Sequence, residues 1–396
     1  MNNSSATRMS WVDLVKGTSV VLVVLMHSAL VLEATNSDGI RLWDSSAVGL
    51  WNDIGTLMEP LRMPIFFLVS GILAAGAIQR SWGQNRRRTW GMAYLYALWT
   101  VLLLILTTAF LSQTPWEAVT SLPGQLLFAS SGYWYLYALV LFFVVARLTR
   151  RVPALVVVAV ATLINIARPI TDSLLSDWLN PIHTGSLAPM IAMNLVFFLI
   201  GARYRDLVTR LANLANWPTV TLLSAALLAA GIYRIENPEL LRLTFLPLSL
   251  GSIVWGLMIA NLVTKNEDIR DLGSYMGKRT LPIYVMQFPL LFLVQWTLLQ
   301  WQPGFMQIAW IQTLFPVLLT IGIVTISLLV YRWTATSSLS WLFTAPDWAL
   351  YPTSQLRSVT QRRTAPPHDG AKVTSGSDHP VALDVPVKVE QLHRVG

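Results

Sequence analysis

The sequence predicts an all-α protein that crosses a membrane about ten times, and three observations support this fold class. Only 12% of its 396 residues are charged and 54% are hydrophobic, whereas a soluble domain carries about 25% charged residues. Apolar runs long enough to cross a hydrocarbon core of roughly 30 Å recur along the chain. Lysine and arginine are concentrated in alternate loops between these runs. Together these features exclude a freely soluble enzyme.

The apolar runs give the predicted transmembrane helices in order. They are 12–34, 54–77, 89–111, 133–146, 152–166, 187–201, 217–233, 244–263, 281–299 and 306–331. The fourth, fifth and sixth runs are short, and each could instead be a buried or re-entrant helix. The first run is a retained helix rather than a cleaved signal peptide, because it contains charged residues and lacks a small-residue cleavage site.

The distribution of positive charge predicts the orientation of these helices. The loops after the second, fourth, sixth and eighth runs carry clusters of Arg and Lys, whereas the intervening loops carry only Arg41, Arg168, Arg234 and Arg242. Cytoplasmic loops are the positively charged ones. Both termini are therefore predicted to be cytoplasmic, and a multi-pass protein of the plasma (inner) membrane is expected.

The sequence divides into a transmembrane domain, residues 1–351, and a cytoplasmic tail, residues 352–396. The tail contains no Phe, Trp or Tyr and is rich in Ser, Thr, Pro, Gly and charged residues. Such a composition cannot bury enough apolar surface to fold, so the tail is predicted to be disordered.

The first helix carries a polar stripe formed by Asp13, Lys16 and His27. Ionisable groups within a membrane helix are costly and mark functional sites. At 100° and 1.5 Å per residue, Lys16 and His27 lie on one face, about 16 Å apart along the helix axis. Asp13 lies one turn before Lys16 and can pair with it. A long ligand with an anionic end near Lys16, such as coenzyme A, would have the reach to bring its far end to His27.

His27 is the predicted proton-transfer residue of the transmembrane domain. His368, His379 and His393 lie in the tail, and His183 lies in a predicted outer loop where solvation is the simpler interpretation. Histidine is the side chain that exchanges protons near neutral pH. A structural hydrogen bond to a neighbouring helix is the alternative for His27. Because the chain has no cysteine, a cysteinyl thioester and thiolate metal sites are excluded.

Five short motifs occur in order across the membrane region. They are Trp-Val-Asp-Leu-Val-Lys-Gly at 11–17 followed by His27, Arg-Met-Pro-Ile-Phe-Phe-Leu-Val-Ser-Gly at 62–71, three arginines at 86–88, Trp-Tyr-Leu at 134–136, and Gly-Lys-Arg-Thr-Leu-Pro-Ile-Tyr at 277–284. Together they resemble the acyltransferase 3 family of membrane-bound O-acyltransferases, in the branch related to sugar O-acetylases. Lys16 stands where many members have Arg, and Arg62 and Gln287 stand where members often have His.

This resemblance implies transfer of an acetyl or short acyl group from cytoplasmic acyl-CoA to a hydroxyl of an envelope glycan or glycolipid. His27 would be the catalytic residue, acting either as a general base or as a transient acyl carrier. Acetyl-CoA would be a co-substrate, with no permanently bound cofactor and no metal. The expected partners are the acyl-CoA donor, the acceptor and membrane lipids, with no nucleic acid. The acceptor, the acyl chain length and the oligomeric state stay open.

The remaining site residues fall into two groups. Asp13 would orient Lys16, and Lys16 with Arg86, Arg87 and Arg88 would hold the CoA phosphates. The predicted acceptor-binding residues are Glu59, Arg62, Trp134, Tyr284 and Gln287. Simpler interpretations exist for both groups, since arginine clusters also set topology, Arg62 could pair with Glu59, and aromatic residues also anchor helix ends.

Two alternative functions also fit the sequence. A transporter or flippase for a lipid-linked glycan would use Lys16, His27 and Arg62 as a polar translocation path and carry out no acyl chemistry. A non-catalytic scaffold would instead present the long tail to partners.

Overall fold

The computed structural model describes residues 9–33, 45–111, 114–129, 131–179, 187–301 and 304–351. The predicted tail, Arg41 and His183 lie outside these residues. Within the described part of the chain there are helices and connecting segments but no strand.

The described residues form fourteen α-helices. They are α1 (Ser10–Leu30), α2 (Ser45–Ile78), α3 (Arg86–Phe110), α4 (Pro115–Phe128), α5 (Trp134–Leu148), α6 (Ala154–Leu179), α7 (Leu187–Arg203), α8 (Arg205–Asn213), α9 (Trp217–Glu236), α10 (Leu241–Val263), α11 (Glu267–Gly277), α12 (Thr280–Trp301), α13 (Ala309–Ala335) and α14 (Asp347–Leu350).

Each of the ten predicted spans falls on a different long helix of this set, and the protein is an all-α, multi-pass membrane protein. Among the described residues, seven helices are long and apolar enough to cross a membrane: α1, α2, α3, α9, α10, α12 and α13. The other three predicted spans correspond to shorter apolar helices on α5, α6 and α7. The count of ten crossings and the cytoplasmic termini stay predictions.

The predicted fourth span falls on α5, and a separate helix that was not predicted, α4, precedes it. The hydroxyl of Tyr96, in the middle of α3, donates to the carbonyls of Gln125 and Leu126 at the end of α4. Thr100, one turn further along α3, bonds Ser131 at 3.1 Å. Helices α4 and α5 therefore meet at mid-depth of the bundle, where the described residues between Phe128 and Trp134 are not helical. Non-helical backbone at this depth is tolerated where protein surrounds it or where it lines a cavity.

Helix α1 lies at the centre of the bundle and packs against α2, α10, α11, α12 and α13. Helix α2 packs most closely on α7, where Gly71 and Gly201 allow the backbones to touch. A Cβ atom on Gly71 would collide with the carbonyl of Phe198, and one on Gly201 with the carbonyl of Leu68. Small residues allow this close approach of membrane helices.

Candidate active site

His27 lies inside the bundle against α12. Its Nδ1 is 3.4 Å from Oε1 of Gln287, and its ring meets the ring of Phe288 edge-on, with centroids 5.1 Å apart. His27 is partly buried, so part of its surface stays accessible.

The position of α12 near His27 is fixed by bonds to the break between α4 and α5. Pro289 has no backbone N–H, so it cannot satisfy the carbonyl of Val285 four residues earlier. The hydroxyl of Tyr133 donates to that carbonyl at 2.9 Å, and the hydroxyl of Tyr284 donates to the carbonyl of Gly132 at 2.9 Å. Gln287 lies within one turn of both attachments.

Arg62 lies close enough to His27 for its positive charge to interact electrostatically with the imidazole. Its Nη2 reaches the carbonyl of Gly55 only at 3.5 Å, and its Nε is buried without a hydrogen-bond partner among the described residues. Arg62 also borders a small cavity between α1 and α2, of about 20 Å³, together with Met26 and Met58. A cavity of that size holds about one water molecule.

Glu59 forms its ion pair with Arg234 rather than with Arg62. The Nη2 atom of Arg234 is 2.6 Å from Oε2 of Glu59. Pro60 leaves the carbonyl of Thr56 without its helical partner, and Nη1 of Arg234 donates to that carbonyl at 3.0 Å. The sequence analysis missed this role of Arg234. Two sequence features could have indicated this role: an arginine in a predicted outer loop, and a proline inside a predicted helix, which leaves a backbone carbonyl without its helical donor.

Lys16 and Asp13 lie near the N-terminal end of α1, with Nζ 3.7 Å from Oδ1. Asp13 is buried and Lys16 is partly exposed. Helix α11 crosses α1 here, and a Cβ atom on Gly277 would collide with the carbonyl of Asp13. The first and fifth sequence motifs therefore meet at this crossing.

The face of α1 between Lys16 and His27 is packed rather than open. Val20 and Val23 lie on this face at helical spacing, and their exposed fractions are 0% and 5%. The structure therefore places Lys16 and His27 on one face but fills the space between them. A helical projection gives the face of a residue, and only the three-dimensional structure shows what packs on it.

The three arginines at the start of α3 point to different neighbours. Arg86 donates to the carbonyl of Leu350 at 3.4 Å, and Arg87 lies 3.6 Å from Asp347, so both contact α14. Arg88 is instead partly buried and donates to the carbonyl of Leu73 on α2 at 2.9 Å. Arg88 therefore belongs to the interior of the bundle.

A row of aromatic rings connects the surroundings of Arg88 with His27. Arg88 is near Tyr135, whose hydroxyl is 3.0 Å from the hydroxyl of Ser70. The ring of Tyr135 is 5.4 Å from that of Tyr284, and Tyr284 is 6.0 Å from Phe288, which contacts His27. Tyr284 and Gln287, both predicted site residues, therefore belong to the same cluster of side chains as His27.

Trp134 lies outside this row. Its ring packs against Phe67 at 5.9 Å, and the neighbouring Tyr135 takes the position facing Tyr284. The sequence analysis did not single out Tyr135, although it lies within the Trp-Tyr-Leu motif. A larger groove of about 590 Å³ lies between α3 and the segment before α14, bordered by Tyr94, Trp341 and Trp348.

Comparison with known proteins identifies the class of the protein. The family described as an acyltransferase domain, acyltransferase 3, matches residues 9–332, a range that includes His27 and every helix from α1 through most of α13. The chain belongs to this family and is a multi-pass membrane protein.

One curated relative is the inner membrane protein YcfT of Escherichia coli (strain K12). It is 27% identical to this chain over 172 residues, which cover 40% of this chain and 48% of YcfT. The chain thus spans about half the length of the curated relative it matches. No solved structure matches the chain.

Proposed function

We propose that the protein is a plasma-membrane O-acyltransferase that moves an acetyl or other short acyl group from cytoplasmic acyl-CoA to a hydroxyl of an envelope glycan or glycolipid. The observation that carries this proposal is the setting of His27. It is an ionisable group on the central helix of a membrane bundle, it is only partly buried, and it lies in a chain of the acyltransferase family.

His27 acts on the acceptor hydroxyl in the simplest mechanism. The imidazole removes the hydroxyl proton while the oxygen attacks the thioester carbonyl, and the CoA thiolate leaves and takes up the proton. A positioned general base contributes about 10²- to 10⁴-fold to a rate. A transient acyl-histidine is the second route, in which His27 itself attacks the thioester before the acceptor does.

The donor is proposed to enter from the ends of α1 and α3 that carry Lys16 and Arg88. Val20 and Val23 fill the face between Lys16 and His27, and Tyr135 and Tyr284 are as closely packed. The pantetheine arm is proposed to follow the aromatic row from Tyr135 to Phe288, which requires these side chains to move when the donor binds. Arg88 and Lys16 bind the CoA phosphates in this proposal. Arg86 and Arg87 already contact α14 and contribute mainly positive charge at that end of the bundle.

The acceptor is proposed to approach from the side of Arg62. The charge of the guanidinium acts on His27, and its Nε is buried without a partner among the described residues. A buried donor of this kind favours an oxygen ligand, since leaving it unpaired costs free energy. In this proposal Glu59 does not touch the acceptor; it pairs with Arg234 and holds that arginine against α2.

The proposed function is tested by mass spectrometry of envelope lipids and glycans from a strain lacking the gene. Complementation with the wild-type protein should restore a set of acetyl or short acyl esters, and His27→Ala should not. His183→Ala, which changes a histidine predicted to lie in an outer loop, should restore the esters fully. Equal ester content in the His27→Ala and wild-type strains would refute the proposal.

A further inference from the structure

We propose that Gln287 is the residue that prepares His27 for catalysis: its carbonyl oxygen fixes the imidazole tautomer, and its amide nitrogen binds the carbonyl oxygen of the reacting thioester. This inference rests on the proposed acyl transfer and assigns a further residue to it. It is carried by the contact between the two side chains and by an unpartnered buried donor on Gln287.

The first step concerns the tautomer of His27. A general base needs one unprotonated ring nitrogen, and a hydrogen bond at the other nitrogen decides which one it is. The Nδ1 atom lies 3.4 Å from Oε1 of Gln287. An amide oxygen only accepts hydrogen bonds, so with the amide oriented as in this structure we infer that Nδ1 carries the proton and donates it to Gln287; the reversed amide would donate to Nδ1 and give the other tautomer. The lone pair that removes the acceptor's proton is then on Nε2.

The second step concerns the rigidity of Gln287. The side chain has an exposed fraction of 0%, and Tyr284 and Val285, one turn earlier on α12, are hydrogen-bonded to Gly132 and Tyr133. These bonds hold α12 against the break between α4 and α5. Gln287 therefore presents a fixed acceptor to His27, as a positioning residue requires.

The third step concerns the amide nitrogen of Gln287. This atom is buried and has no hydrogen-bond partner among the described residues. Buried polar groups in native proteins are nearly always paired, and an exception calls for an explanation. Arg62, whose charge acts on the same histidine, has a second buried donor without a partner among the described residues, its Nε. In the proposal both donors serve the oxyanion that forms during the reaction.

The proposed acyl transfer conserves atoms and charge. Nε2 of His27 takes the proton of the acceptor hydroxyl, and the hydroxyl oxygen forms a bond to the thioester carbon. The carbonyl oxygen becomes an oxyanion and accepts hydrogen bonds from the Gln287 amide and the Arg62 guanidinium. The carbonyl then re-forms as the carbon–sulfur bond breaks, and the CoA thiolate receives the proton from Nε2.

The tautomer is tested without any activity measurement, by ¹⁵N NMR of protein with labelled histidine. The resonances absent from His27→Ala are those of His27. The proposal predicts a single neutral tautomer, protonated at Nδ1, in the wild-type protein and a mixture in Gln287→Leu. Gln312→Leu is the matched control, because Gln312 is equally buried but donates to the carbonyl of Met306. An unchanged His27 spectrum in Gln287→Leu would overturn the proposal.

The catalytic part is tested by release of CoA thiol from acetyl-CoA by the purified protein in nanodiscs. Gln287→Leu should lower kcat by roughly 10²-fold, the effect of losing one oxyanion donor, without raising KM for acetyl-CoA. Gln287→Glu keeps an acceptor for Nδ1–H and adds a charge that stabilises the imidazolium. The acid limb of the pH–rate profile of Gln287→Glu should therefore lie at higher pH than that of the wild type.

The outcomes separate this inference from the proposed function. If the wild-type protein and His27→Ala release thiol at the same rate, the acyl-transfer proposal fails, and the NMR result decides the role of the Gln287 contact. If His27→Ala is inactive while Gln287→Leu and Gln312→Leu both match the wild type, the acyl-transfer proposal stands and the inference about Gln287 is wrong.

Discussion

At the scale of single residues, the charged groups inside the bundle divide into those that hold the fold and those that remain available for chemistry. Arg234 is almost completely buried and contacts Glu59 and two backbone carbonyls, those of Thr56 and Leu241. Among the described residues, the guanidinium of Arg62, three residues from Glu59 on α2, has one hydrogen bond, at 3.5 Å, and a charge interaction with Glu59. This difference makes Arg234 a structural residue and leaves Arg62 for a ligand.

Replacement of Arg234 by alanine should destabilise the protein by about 3 kcal/mol, because it removes a buried guanidinium and leaves two carbonyls without their donor. Glu59→Gln should cost about 1 kcal/mol or less, since Arg234 keeps both carbonyls and Glu59 is partly exposed. Thermal unfolding of the purified variants in detergent measures both. Arg242→Ala, at an exposed arginine on the next helix, is the control. Equal stability of Arg234→Ala and Arg242→Ala would contradict this division of roles.

At the scale of elements, the long apolar runs predicted the long helices well, because hydropathy and length are local properties. The break between α4 and α5 was not predictable in this way. It depends on hydrogen bonds from Tyr96 and Thr100 on α3. Helices α8 and α11 were missed because they are short and polar, with no apolar run to mark them. Contacts such as His27 with Gln287, 260 residues apart, are set by packing and have no local signature.

The tight packing of α2 on α7 gives a prediction at this scale. Gly71→Ala should destabilise the protein by roughly 1–3 kcal/mol, because the added methyl group forces the two helices apart. Gly76→Ala is the matched control on the same helix, since a Cβ atom there meets no atom within 4 Å. Fluorescence-detected size-exclusion chromatography after heating compares the two variants. An equal loss of the monodisperse peak in both would show that the α2–α7 contact is not decisive.

At the scale of the whole molecule, sidedness connects the fold with the proposed reaction. In the proposed reaction the acyl donor is cytoplasmic and the acceptor belongs to the envelope, which requires Lys16 and Arg88 to face the cytoplasm. The alternating loop charges predict this orientation. Lys16 lies near the N-terminal end of α1 and Arg88 near that of α3. In the predicted topology the chain enters the membrane from the cytoplasm at both of these ends.

The absence of cysteine from the chain allows a direct test of orientation. A single cysteine at the exposed Gln84, between α2 and α3, should react with a membrane-impermeant maleimide only after cell lysis. A cysteine at the exposed Glu239, between α9 and α10, should react in intact cells. Labelling of Gln84→Cys in intact cells would contradict the predicted topology and the route proposed for the donor.

The most direct measurement of the central claim is the turnover of radiolabelled acetyl-CoA by purified protein in nanodiscs, comparing the wild type with His27→Ala. We expect the wild type to release CoA thiol and to transfer or hydrolyse the labelled acetyl group. The turnover rate of His27→Ala should be lower by at least about 10²-fold, while its size-exclusion elution profile should match that of the wild type. A folded His27→Ala protein that turns over acetyl-CoA at the wild-type rate would show that this histidine does not carry the chemistry.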